Sequence, residues 1–386
     1  MRIAQVCPYD MDRPGGVQAH IRDLGTALEE LGHQVTVFAP FVPQQGPRVS
    51  GPEIIRLGSA RKIGFGGTVY EISIALGAEK KRLTAAVEGG RFDVMHYHTM
   101  WTPLLPVQVF RRSKSANVAT FHDTPAPTLE GRVLTHAFRA MSKLLLPRLD
   151  GVITPSEAPL AHLAKVGPPV TILPPATNLS RFATARPPRR ARFDDGRINI
   201  LFLGRLEERK GATLLLEAYL RLVMEELPVR LIIAGQGERE HALREFAAAH
   251  SLPNLEFTGG FFDSEAPQLY ADCDIFCAPS PYGESFGIVI AEAMASGKPV
   301  VAAANAGYRS VLTGEGARFL TPPGDSSALA SALRTLVTDA PLRARLGEWG
   351  REQAMRYDAR TVAPKFVEVY EEAIERFKRR EARTGN

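Results

Sequence analysis

The chain has 386 residues, of which 45% are hydrophobic and 23% charged, with a formal net charge of +5. That length fits two or three domains, each with enough apolar residues for its own core. No apolar run reaches the ~18 residues of a membrane span, and the opening MRIAQVCPYDMD lacks the basic and then apolar regions of a secretory leader. Charge is uneven: residues 1–190 hold 23 Lys and Arg against 14 Asp and Glu, and the remainder hold 24 against 28. A basic first half predicts an anionic partner there. With no DNA- or RNA-binding signature and only 8% aromatic residues, an anionic membrane surface is favoured over nucleic acid. Cys7, Cys273 and Cys277 read as core thiols of a protein in a reducing cytosol.

Strand and helix alternate along the chain. IAQVC (3–7) reads as a strand, and Val17, Ile21, Leu24, Leu28 and Leu31 are spaced for a helix over 17–31. QVTVFAP and EIIRL (53–57) are strands, and 69–90 reads as a helix softened at Gly77. DVMHYH (93–98), NVATFHD (117–123), GVITPS (151–156) and VTILP (170–174) follow as strands. Residues 174–196 break the rhythm with Pro, Arg and short polar residues. The rhythm restarts with strands at 198–204, 229–235, 255–259, 274–279, 299–304 and 317–322, and helices at about 211–226 and 238–250. Two last helices span about 339–356 and 359–379. The reading is two doubly wound α/β domains in series, each binding ligands beyond the carboxyl ends of its strands, with a cleft between them. The boundaries are 1–178, a linker at 179–196, 197–357, and a helix at 358–386 crossing back to the first domain.

Four loops carry chemistry. PYGESFGIVIAEAMASGKPVV (281–301) sets Glu284 in a Gly-flanked turn and Glu292 eight residues on, inside a helix. Eight helical residues rise ~12 Å, about the reach of a sugar diphosphate from hexose to ribose. Gly283 and Gly287 suggest close approach of the backbone to a ligand; a surface αβ unit with two ordinary glutamates is the alternative. GRLEERKG (204–211) brings Arg205 and Lys210 to a helix start, where they neutralise a diphosphate or simply form a solvated basic loop. Asp12 to Gln18, with Gly15 and Gly16, joins the first strand to the first helix and is either an anion cradle or an ordinary turn. His122 ends a strand where it can orient a sugar hydroxyl, or it is structural. His96-x-His98 invites a metal, but no third ligand is placed by sequence, so none is expected. Lys80, Lys81 and Arg82, with Arg61 and Lys62, flank the 69–90 segment. With Phe65, Val69, Ile72, Ile74, Leu76 and Leu83 they suit an interfacial helix on anionic lipid, or a solvated face.

On PGGVQ, the strand end at His122, GRLEERKG and ESFGIVIAEAMASGKPVVA, the chain resembles a family 4 glycosyltransferase with the GT-B architecture, two Rossmann-like domains facing across a cleft. Within that family it most resembles the bacterial phosphatidylinositol α-mannosyltransferases. The resemblance implies a retaining hexosyltransferase, metal-independent in its chemical step, that uses no cofactor. It implies a nucleotide-sugar donor, GDP-mannose first, a lipid or polyol acceptor, and a peripheral place on the inner face of the cell membrane. Gly16 would lie against the distal phosphate, and Arg205 and Lys210 would hold the diphosphate. Glu284 would contact the donor sugar, with Phe286, Gly287 and Ile288 offering backbone groups, and Glu292 would take the ribose hydroxyls. His122, Glu284, Arg205 and Lys210 are the catalytic candidates. Tyr9, Gln18 and His122 would lie toward the acceptor, and Lys80, Lys81 and Arg82 toward lipid. Where the family often reads Pro-Asn-Gly-Val-Asp, this chain has Pro174-Pro175-Ala176-Thr177-Asn178. A UDP-sugar-dependent member that builds polysaccharide or a small glycoside is the alternative, followed by a nucleotide-sugar epimerase of the same architecture.

Overall fold

Strands that are apolar on both sides demand a sheet covered on both faces, and the computed structural model has two such sheets. It describes residues 1–12, 15–41, 51–65, 68–100, 104–184 and 187–384. The first sheet contains β1 (Arg2–Val6), β2 (Gln34–Phe41), β3 (Glu53–Phe65), β4 (Thr68–Ile74), β5 (Val94–His98), β6 (Ala116–Thr120), β7 (Gly151–Thr154) and β8 (Val170–Ile172). Their order is β4-β3-β2-β1-β5-β6-β7-β8, parallel except for the antiparallel β3–β4 pair. The second contains β9 (Ile198–Leu203), β10 (Val229–Ala234), β11 (Leu255–Gly259), β12 (Ile275–Ala278), β13 (Val300–Ala303) and β14 (Leu320–Thr321). It is all parallel, in the order β11-β10-β9-β12-β13-β14. Strand order reverses between β1 and β5 in one sheet and between β9 and β12 in the other, where doubly wound folds open their ligand crevice.

The second sheet displays the pattern that builds it. Ile200, Phe202, Ile275 and Cys277 enter one core cluster, while their neighbours Leu201, Leu203, Phe276 and Ala278 enter another. The chain divides into two compact units, Met1–Thr177 with Ala359–Asn386, and Asn178–Asp358. The helix Ala359–Thr384 buries Val362, Phe366, Tyr370 and Ala373 in the first unit's core, against Ile3, Leu24 and Leu28. Of residues 179–196, expected as a linker, Leu179, Phe182 and Phe193 are buried in the second unit's core. Asp358 Oδ2 accepts from the backbone N–H groups of Leu179 and Ser180, each at 3.0 Å, and so ties both chain crossings together.

Residues 69–90 are not one helix. Thr68–Ile74 is β4, paired antiparallel with a β3 that runs on to Phe65, and the helix starts at Gly77 and ends at Gly89. Val-Tyr-Glu-Ile-Ser-Ile alternates with period two and carries β-branched residues, so strand pairing outcompetes the helical spacing. Residues 326–338, given no element by the sequence reading, form a helix whose Asp325 side chain accepts from the N–H of Ala328.

Candidate functional site

The second unit's polar cluster lies at its switch point, in the loops after β9 and β12. Residues Glu208–Lys210 form one 3-10 turn before Gly211, which has φ 72°, and the helix Ala212–Met224. A Cβ on Gly211 would come within 2.4 Å of the Pro279 carbonyl oxygen, so glycine lets the two loops touch. Lys210 Nζ then donates to Glu284 Oε1 at 2.7 Å. Arg209 Nη1 donates to the same oxygen at 3.3 Å and to the Gly283 carbonyl at 3.1 Å. Glu207 pairs with Arg209 Nε at 2.9 Å and with Arg205 Nη1 at 2.6 Å. Three cations thus share two carboxylates. Burial pushes the Glu284 carboxyl up, but Lys210 and Arg209 together pull it below its ordinary value. Burial also lowers the Lys210 ammonium. Attraction to Glu284 opposes this, repulsion from Arg209 and Arg205 adds to it, and the net shift is downward. A further anion at this loop would relieve that excess of positive charge.

Glu292 is buried on the helix Ile288–Ala295. It accepts from the Tyr270 hydroxyl at 2.9 Å and lies 3.8 Å from Arg181 Nη2. The helix starts at Ile288 rather than near Ser285, so Glu284 lies in the turn ahead of it. Gly287 has φ 118°, and a Cβ there would come within 2.7 Å of the Tyr308 ring. The close approach expected of this glycine is therefore satisfied within the protein. Phe286 is buried, its ring edge-on to Tyr357 at 5.2 Å, which leaves its backbone as the group available to a ligand.

In the first unit, Gly16 opens the helix Gly16–Glu30, while Arg13 and Pro14 lie outside the described residues. Gln18 is buried and donates to the Asp10 carbonyl at 3.2 Å. Tyr9 packs part-buried against a small cluster around Cys7 and Ile21. His122 follows β6 and stacks on His98 at 5.5 Å between ring centroids, with His20 at 5.6 Å. Burial, with the nearby His20, holds the His122 imidazolium far below its ordinary pKa, so the ring is neutral at pH 7. Burial alone pushes Asp123 up to about 7, against a hydrogen bond involving Thr99 that lowers it.

Lys80, Lys81 and Arg82 are exposed on the helix Gly77–Gly89, with Arg82 2.7 Å from Glu79. The single helical stripe expected beside them is divided between a strand and a helix. Val69, Ile72 and Ile74 belong to β4, Leu83 is buried, and Leu76 is exposed, at 64%. The side chains of Arg61, Lys62 and Phe65 lie outside the described residues.

Sequence reasoning missed Arg209 and Glu207, although both stand in the basic loop, because a 3-10 turn aims successive side chains apart in ways spacing does not encode. Arg181, Tyr270, His20 and His98 carry no local signal that ties them to Glu292 or His122. The chain contains two Asp-x-Asp sequences, and three of their four acids are engaged with arginines: Asp12 with Arg56, Asp272 with Arg190, and Asp274 with Arg189; Asp10 Oδ1 accepts from the backbone N–H of Asp12.

Residues 14–181 match the family model described as Glycosyltransferase Family 4, and residues 186–353 match the one described as Glycosyl transferases group 1. The chain is 35% identical to the phosphatidyl-myo-inositol mannosyltransferase of Mycobacterium leprae, over 96% of each chain. It is 34% identical to that of Mycolicibacterium smegmatis, over 96% of this chain and 94% of that one. Among solved structures it is similar to sucrose-phosphate synthase from Thermosynechococcus elongatus, with a TM-score of 0.74, 22% identity, and 96% and 98% coverage. Anabaena HepE in complex with UDP and glucose has a TM-score of 0.73, 21% identity, and 95% and 98% coverage.

Proposed function

The chain belongs to the family 4 glycosyltransferases of GT-B fold, and from that premise we propose that it moves a mannosyl group from GDP-mannose to a lipid-linked or polyol acceptor such as phosphatidylinositol. The observation that carries this reading is 35% identity across 96% of both chains to a phosphatidyl-myo-inositol mannosyltransferase. The polar cluster after β9 and β12 supports it chemically.

Arg205 and Lys210 hold the donor diphosphate, and Gly16 lies against its distal phosphate. Lys210 reaches the diphosphate by leaving Glu284, which frees that carboxylate for the sugar hydroxyls. Phe286, Gly287 and Ile288 offer backbone groups, and Glu292, set by Tyr270, takes the ribose hydroxyls. In the transfer the bond from the anomeric carbon to the diphosphate oxygen breaks and a bond to the acceptor oxygen forms on the same face. The acceptor's proton passes to the leaving diphosphate. Configuration is retained through an oxocarbenium-like state, and the cations stabilise the departing charge in place of a metal. Neutral His122 orients a hydroxyl of the transferred sugar, and Tyr9 and Gln18 lie on the acceptor side. Lys80, Lys81 and Arg82 meet anionic lipid at the cytoplasmic face of the membrane by charge, since the apolar residues beside them are divided between a strand and a helix.

The test is a donor panel read by mass spectrometry: GDP-mannose, UDP-glucose, UDP-N-acetylglucosamine and UDP-glucuronate, each with and without phosphatidylinositol liposomes. Mannosylated lipid formed only from GDP-mannose is the expected result. Transfer from a UDP-sugar instead would move the protein to polysaccharide or small-glycoside synthesis.

A further inference from the structure

Three histidines from three separate elements meet near the carboxyl ends of β1, β5 and β6. His20 comes from the helix Gly16–Glu30, His98 ends β5, and His122 follows β6. One ring nitrogen from each lies within 4.8 Å of the other two. His20 and His98 are 1% and 0% exposed.

The hydrogen bonds fix which nitrogens are available. Gln5 Nε2 donates to the Ile21 carbonyl at 3.0 Å, which turns its Oε1 toward His98 Nε2 at 3.1 Å. An amide oxygen only accepts, so Nε2 of His98 carries the proton and Nδ1 carries the lone pair. His20 Nδ1 faces the Ala176 carbonyl at 3.3 Å, so that nitrogen is the donor too. Its Nε2 is left as a buried lone pair with no hydrogen-bond partner among the described residues. His98 Nδ1 is 3.2 Å from His122 Nε2, close to the ~3.3 Å between two nitrogens on a tetrahedral zinc with Zn–N bonds of ~2.0–2.1 Å. Imidazoles whose second nitrogen is tied to a carbonyl are the usual arrangement around a bound metal. His96, the other member of the His-x-His pair, is spent on Tyr370 at 2.8 Å and Thr120 at 2.7 Å.

We propose that His20, His98 and His122 form a transition-metal site of the Zn²⁺ class, with Gln5 and the Ala176 carbonyl as its outer supports. Three imidazoles leave one position open, on the side where His122 is only part-buried. The metal takes the place of the proton that His122 Nε2 shares with His98, that proton moving to Nδ1 so that the ring stays neutral, and so withdraws His122 from any sugar. That last effect rests on the role proposed for His122 above; the metal site itself does not.

The experiment titrates the full chain with Co²⁺ and then Zn²⁺. One equivalent of Co²⁺ is expected to give the visible absorption of a four-coordinate ion, displaced by Zn²⁺. His20→Ala, with its fold checked by circular dichroism, is expected to weaken Co²⁺ binding at least tenfold. X-ray absorption on the zinc-loaded wild type, which needs no variant, is expected to give three imidazole nitrogens at bonding distance. Absent stoichiometric binding, an all-oxygen shell, or unchanged affinity in folded His20→Ala would each overturn the site. Mannosyl transfer assayed with bound Zn²⁺ is expected to fall. Undiminished transfer with the three-imidazole shell present would overturn the role of His122 and leave the metal site standing.

Discussion

Glu284 is gripped by two cations, Lys210 at 2.7 Å and Arg209 at 3.3 Å, so the groups proposed to hold the diphosphate and the sugar share one electrostatic network. If Lys210 holds the diphosphate as proposed, its removal takes a charged donor away while Arg209 keeps the carboxylate paired. Lys210→Ala is therefore expected to weaken GDP binding by ~1.5–3 kcal/mol, the range for hydrogen bonds to charged groups. Calorimetry on folded protein reads this directly, and an unchanged affinity would take Lys210 out of the site. Glu284→Gln keeps the shape and removes the charge. It is expected to cut turnover by more than about tenfold while GDP affinity holds or rises, because one anion no longer competes for the cations. Glu284, Arg205 and Lys210 were legible as charged residues beside glycines. Their direct contact was not, because Lys210 and Glu284 are brought together by the approach of two loops 74 positions apart.

The helix Gly77–Gly89 shows how an element's boundary alters a functional reading. Once Thr68–Ile74 pairs with β3, that helix is left with a basic exposed end and without the apolar residues of β4. The lipid contact proposed for it would then be electrostatic, worth ~1 kcal/mol per cation near an anionic surface and screened by salt. Lys80→Glu with Lys81→Glu is expected to reduce cosedimentation with phosphatidylserine liposomes at low salt, and wild-type binding is expected to fall as salt is raised. Salt-insensitive binding that survives the double reversal would make this helix an ordinary solvated face.

Across the whole molecule, the first unit is built from both ends of the chain. Val362, Phe366 and Tyr370 of the last helix are at most 1% exposed and pack on Ile3, Leu24 and Leu28. Burying side chains of this kind contributes ~1.5–3 kcal/mol each, so losing several exceeds the margin of a typical domain. A chain truncated after Asp358 is expected to lose the folded first unit while the second, Asn178–Asp358, retains its core. Limited proteolysis with mass spectrometry distinguishes the outcomes: a protected first unit in the truncated chain would contradict this account of its core.

Near-continuous apolar runs such as INILFL, helical spacing from Val17 to Leu28, and glycines at strand ends are local properties, and they determined the two α/β units and the loops that carry charge. The same local rules misread 69–76, where helical and strand spacing compete and only the neighbouring β3 decides. What lies far apart in sequence was decided by the tertiary structure alone. Arg209 reaches Glu284, Tyr270 supports Glu292, the last helix completes the first unit, and His20, His98 and His122 converge. The physical reason is that a parallel sheet gathers the carboxyl ends of its strands at one edge whatever their separation along the chain, which brings Arg209 to Glu284 and the three histidines together, while burial of apolar faces docks the last helix and the helices that carry Tyr270 and Glu292.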